Sequence, residues 1–290
     1  MTYILILILV SAFFLVWRLN KRTSKDETNQ TKIQKDIDNI LENLKPHQLE
    51  TIKIKPLPER PKNIWSSKFG GKPYWPTGKS YPETNEGEPL FLLAQLNFDE
   101  LPHIEGYPKK GMLQFFIAND GMYGLNFDKP INEVMTAPDG YRVIYHSEIS
   151  KDNVSLQLNT PETNKDNQLP ISGEYALEFY LTKEQPSPTD YRFDAIIDDV
   201  FSLDDAVASY LFDNLDASGS KLGGYANFTQ DDPRSMKHTG TWILLFQMDT
   251  EFSDGVDIMW GDTGVGNFFI EPQSLNDCDF SKVWYNWDCC

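Results

Sequence analysis

The stretch FGGKPYWP, Phe69–Pro76, sets two glycines and two prolines among three aromatic residues. Paired glycines permit positive φ and close approach of the backbone, and the prolines hold an extended exit, so the stretch reads as a tight turn leading into a sheet. It has a counterpart. KLGGYANFTQDDPR begins at Lys221 and places Gly223-Gly224 at an offset of 153 from Gly70-Gly71. LLAQLNFDE (92–100) aligns with LLFQMDTEF (244–252) at an offset of 152, and GMLQFFI (111–117) with GNFFI (266–270) at 153. Three alignments within one residue of a common offset predict an internal duplication, with repeated units near 70–117 and 223–270. Both copies carry a glutamine in mid-strand, Gln95 and Gln247. A repeated amide among apolar neighbours is expected to bridge main-chain groups, since buried polar groups are normally satisfied within the protein.

Around these units the hydrophobic period is mostly two. LFLLAQLNF (90–98), MLQFFIA (112–118), YRVIYHSEI (141–149), VSLQLNT (154–160), EYALEFYLT (174–182), TWILLFQMD (241–249), VDIMW (256–260) and NFFIE (267–271) read as strands. Short Pro, Gly and Asn punctuation between them favours antiparallel pairing over βαβ crossovers. One helix interrupts: Ser202 is a cap, Asp204 and Asp205 suit its first turn, and Ala206, Val207, Tyr210 and Leu211 form its apolar face. The expected class is mainly β, a β-rich α+β fold of antiparallel sheets in two duplicated halves, with few helices.

The amino-terminal part is different. Met1–Trp17 carries no charged side chain, and as a helix its 17–19 residues would reach about 26–28 Å, enough to span a bilayer. Arg18, Lys21, Arg22 and Lys25 follow the apolar run and do not precede it, and no small-residue cleavage pattern is present. The expectation is an uncleaved transmembrane anchor (1–19) with the carboxyl-terminal body cytoplasmic by the positive-inside rule. A polar tether (20–31) and an amphipathic helix with an extended, edge-like lead-in (32–62) would join it to the body (63–290). Cys278, Cys289 and Cys290 make a poor disulfide framework and fit a reducing compartment.

Charge narrows the partners. Residues 63–290 hold 15 Lys or Arg against 36 Asp or Glu. Such a body repels phosphate backbones, which argues against nucleic acid, and attracts a basic protein or cations. Spacing suited to a metal site is missing, the EF-hand pattern is not met, and no cofactor motif is found.

Three groups of residues are candidates for binding. In TQDDPR, Gln230, Asp231, Asp232 and Arg234 crowd one loop; Arg234 could present a fork to a carboxylate, or close an Asp-Pro turn by a local ion pair. GDTGVG (261–266), with Asp262, lies between two strands and reads first as a hairpin turn, with a ligand-facing turn or a Ca²⁺ loop as alternatives. Trp260, with Trp284 and Trp287, would supply an aromatic wall or fill the core. An enzymatic alternative would join Asp231, Asp232, Asp262 and His238 in a cleft between the halves.

FGGKPYWP, PLFLLAQLNFDELP, KLGGYANFTQDDPR, WILLFQMDTE, MWGDTGVGNFFI and the closing DFSKVWYNWDC together resemble the YwqG-like family of bacterial proteins, from about Trp65 to Cys290. The resemblance implies a mainly β, roll-like fold with duplicated halves and no assigned reaction. Some related domains resemble immunity or partner proteins of toxin systems. A membrane-tethered binding protein engaging a basic partner is therefore the leading expectation.

Overall fold

The computed structural model describes residues 29–126, 139–197, 199–234 and 241–290. The expected anchor, most of the tether and His238 lie outside the described residues. Among the described residues no helix is long and apolar enough to cross a membrane.

Ten strands form one antiparallel sheet: β1 (Leu49–Leu57), β2 (Lys68–Gly70), β3 (Phe91–Asn97), β4 (Met112–Ile117), β5 (Tyr141–His146), β6 (Glu174–Glu184), β7 (Lys221–Gly223), β8 (Ile243–Asp249), β11 (Val265–Ile270) and β12 (Trp284–Asp288). Their order is β12-β11-β8-β7-β1-β6-β2-β3-β4-β5. The long β1–β6 ladder occupies the centre, and each flank leans on one of its two strands: β2 pairs with β6, β7 with β1. A separate hairpin joins β9 (Glu251–Ser253) and β10 (Val256–Ile258).

The sheet curls. Phe115 of β4 packs against Phe246 of β8 at 4.5 Å and Phe268 of β11 at 4.8 Å, so the two flanks face each other across one core. The sheet's ends also meet: Tyr141 of β5 lies 5.2 Å from Tyr285 of β12 and donates to the Val283 carbonyl at 2.9 Å. A second, smaller core is helical. Ile37, Ile40 and Leu44 of the helical stretch 29–44 pack with Phe193, Val207 and Leu211, the last two on the helix Asp205–Asn214.

Three local expectations need correction. β1 is central, although its prolines suggested an edge. Ile54 N–H donates to Ser220 at 2.8 Å, so even-numbered residues face β7, whose register stops at Lys53↔Lys221; Pro56 therefore removes no ladder bond. VSLQLNT is not a strand: Asn153–Ser155 is a 3-10 turn, and only Leu156 bridges, to Pro76. GDTGVG does not close a hairpin, because both edges of β11 are taken by β8 and β12, leaving β10 to pair with β9.

The two Gly-Gly turns adopt positive φ throughout, +64° and +71° at Gly70 and Gly71, +69° and +77° at Gly223 and Gly224. A β-carbon on Gly71 would strike the Glu174 side chain, and one on Gly224 would strike Glu184 and Thr51. Beside each turn a glutamine does the same work. Gln95 donates to the carbonyls of Ile64 and Ser66 at 2.7 Å each and accepts from Tyr74 N–H at 2.8 Å. Gln247 donates to Ala217 at 2.9 Å and Gly219 at 2.8 Å, and accepts from Asn227 N–H at 2.9 Å.

Burial of Tyr107, Tyr141 and Tyr285 pushes their phenols up from the usual value. Unfolded tyrosines ionise near pH ~10. Above that pH the unfolded chain sheds protons the folded chain keeps, so these groups contribute stability that is present below pH ~10 and lost as pH rises. Thermal midpoints measured through that range are expected to fall, and the part of the tyrosinate absorbance that these three buried groups contribute should appear only with unfolding.

Candidate functional site

Each end of β6 carries a glutamate that its Gly-Gly turn encloses. At one end Lys68 Nζ meets Glu174 Oε1 at 3.0 Å. At the other, Glu184 Oε1 takes Lys221 Nζ at 2.8 Å and Lys53 Nζ at 2.9 Å, while Oε2 accepts from Tyr225 N–H at 2.8 Å. Lys68 and Lys221 are both buried. Removal from water outweighs the carboxylate attraction and lowers both ammonium groups, Lys221 to about 8.

A second ionic layer lies behind Glu184. Asp190, fully buried, receives Arg192 Nε at 2.8 Å on one oxygen and Arg192 Nη2 at 2.7 Å on the other, plus Arg234 Nη2 at 2.8 Å and Ala226 N–H at 3.0 Å. Arg234 also forks onto Asp232, at 2.9 and 2.7 Å, and stacks over Phe269 at 4.5 Å. Burial alone would raise the Asp190 carboxyl; the guanidinium groups of Arg234 and Arg192 win and hold it well below the usual carboxylate range. A cleft of about 470 Å³ opens beside this network, lined by Glu50, Glu105, Tyr107, Lys183, Arg192 and Gly224 among others.

The residues singled out from the sequence are dispersed. Asp232 and Arg234 are buried and committed to the ion pairs above. Gln230 is exposed and tied down: its N–H donates to Asp288 at 2.7 Å and its side-chain amide to the Cys289 carbonyl at 2.8 Å. Asp231 and Asp262 are exposed on separate loops. Trp260 is fully buried, 5.4 Å from Tyr123, and Trp284 packs against Phe269, so both fill the interior. His146, not weighed from the sequence, is buried between Lys79 (3.2 Å) and Gln114 (2.8 Å), and desolvation with the Lys79 charge lowers it to about 4. Among the described residues no group of His, Cys, Asp and Glu is arranged to hold a metal ion.

Sequence reasoning missed Glu174, Glu184, Asp190 and Arg192. The signal lay in the repeated Lys-x-Gly-Gly of Lys68–Gly71 and Lys221–Gly224: a lysine inside a short apolar strand needs a buried acid. Which acid could not be read, because Glu174 is 106 positions from Lys68.

Residues 67–289 match the family model described as "Domain of unknown function (DUF1963)". No curated protein matches the chain.

Proposed function

Because the chain belongs to the DUF1963 family, whose description carries no activity, we propose a function from its own surface: a membrane-tethered, acidic interaction module that docks a basic protein partner. The observation that carries this reading is on the helical satellite. Phe201 is 82% exposed and lies beside the exposed Phe212, ring centroids 6.0 Å apart. Exposed Asp199, Asp204, Asp205 and Asp213 neighbour this pair in the chain, and residues 193–220 contain no Lys or Arg. An aromatic anchor with a carboxylate rim suits a partner segment that is apolar at its centre and basic around it. Meanwhile the buried ionic groups Asp190, Glu184 and Lys221 are paired in the interior.

Tethering is part of the proposal. The apolar, uncharged run Met1–Trp17 and the basic residues after it support a single-pass anchor with the body in the cytoplasm. The narrower YwqG-like relationship and descent from a duplicated unit belong to the same reading, supported by the matching bonds of Gln95 and Gln247 and by the order β2-β3-β4 recurring as β7-β8-β11.

The test is co-purification of the full chain from native membranes at two salt concentrations. A basic partner should be retained at low salt, released as salt screens the charges, and lost with Phe201→Ser or with Asp204→Asn combined with Asp205→Asn. Retention that ignores salt and these substitutions, or no basic protein retained, would reject the proposal.

A further inference from the structure

The helical satellite has a core of its own. Every member of its apolar cluster lies in 33–44 or 193–215, and no strand of the sheet contributes to it. The sheet's main cluster in turn takes no residue from these two stretches. The chain crosses between satellite and sheet three times, and polar bonds to the body fix each crossing. Before β1, the His47 carbonyl accepts from the Tyr225 hydroxyl at 2.5 Å. After β6, Asp190 holds Arg234, and Tyr191 N–H donates to Asp232 at 2.9 Å. Before β7, the Ser218 carbonyl accepts from Lys53 Nζ at 2.8 Å, and Gln247 holds the carbonyls of Ala217 and Gly219.

All these bonds lie outside the satellite's cluster. The cluster can therefore open without breaking them or any ladder of the sheet. Its helices depend on each other. Asp205–Asn214 has 10 residues, and isolated helices of such length are marginal in water at best. What holds them is the packing of Ile37, Ile40 and Leu44 on one side against Val207 and Leu211 on the other. Losing one side frees the other, which is how a cooperative unit of lower stability than the main core behaves. Phe201 follows Val200, a buried member of this cluster, and Phe212 follows Leu211, another. The acidic aromatic face is thus assembled only while the cluster is closed.

We propose that the satellite is a conformational switch: 29–44 and 193–215 open and close as one unit on an intact sheet, and closure assembles the acidic aromatic face. The link to docking rests on the function proposed above; the opening itself does not.

Hydrogen exchange read by mass spectrometry, on the full chain in detergent micelles, tests it without a partner. Peptides from 29–44 and from 205–214 should exchange through one shared opening, while those from β3 and β8 stay protected. Leu44→Ala removes a side chain with no exposed surface from the satellite alone. It should speed exchange in both helical stretches by the same factor, at least about thirtyfold, and leave β3 and β8 unchanged. Leu211→Ala, made from the other side, should do the same. A variant whose satellite stays open gives the same pattern in the extreme, with immediate exchange there and a protected sheet. Acceleration that spreads equally to β3 and β8, acceleration confined to the substituted helix, or a satellite as protected as the sheet in the unsubstituted chain would overturn the proposal.

Discussion

Glu184→Ala is expected to cost about 3–5 kcal/mol of folding stability, the usual penalty when one partner of a buried ion pair is removed and the other stays. The Glu184 carboxylate accepts from Lys221, Lys53 and Tyr225 N–H, and Lys221 has no exposed surface through which water could replace it. For a domain of this size the loss corresponds to a fall in thermal midpoint of roughly 10 °C. Lys53→Met supplies the contrast. Its side chain is 33% exposed, so its removal should cost no more than about 1 kcal/mol. Thermal denaturation of the two variants side by side checks the ranking, and equal losses would show that the burial of Lys221 does not set the cost.

Gln247→Leu is expected to be nearly as damaging. Leucine fills a similar volume and leaves the Gly219 carbonyl and the N–H of Asn227 without partners, while the Ala217 carbonyl keeps only Lys221 Nζ. At about 1–3 kcal/mol for each unsatisfied buried group, two groups set a loss of at least about 2 kcal/mol. Gln95→Leu orphans Ile64, Ser66 and Tyr74 and should cost the same or up to about 1 kcal/mol more. Urea titrations of both variants measure this. A large loss at one glutamine and a negligible loss at the other would mean that the two sites are not equivalent in energy.

How much of this was legible depended on how local its cause was. The Gly-Gly turns could be read because positive φ at Gly70, Gly71, Gly223 and Gly224 is a property of the residue itself. The strands around Gln95 and Gln247 could be read because both faces are buried and the apolar run is long. β1 was misread because the meaning of Pro56 depends on where β7 stops, which no residue near Pro56 states. The role of Asp232 and Arg234 was half legible: the local fork between them is spelled in TQDDPR, but Asp190, which draws both arginines inward, is 44 positions from Arg234. Arg192 carried no signal at all. Its reach to Gly224 exists only once the chain between them has folded.

The crossed support at the centre of the sheet has a consequence for biosynthesis. β1 is made first, yet the flank it supports, β7 onward, is made last; β6 closes the flank that precedes it. A nascent chain that has emerged as far as Glu184 can complete the ladder from β1 to β5, and then presents the far side of β1 to solvent as a bare strand edge. That edge is an invitation to pair with another chain until Lys221–Gly223 arrives. The satellite helix Asp205–Asn214 is translated in this interval and packs with the helical stretch 29–44 just ahead of β1. Slowing translation between Glu184 and Lys221 should therefore raise the aggregated fraction of newly made protein, whereas a pause after Asp249, once β7 and β8 are in place, should leave it unchanged.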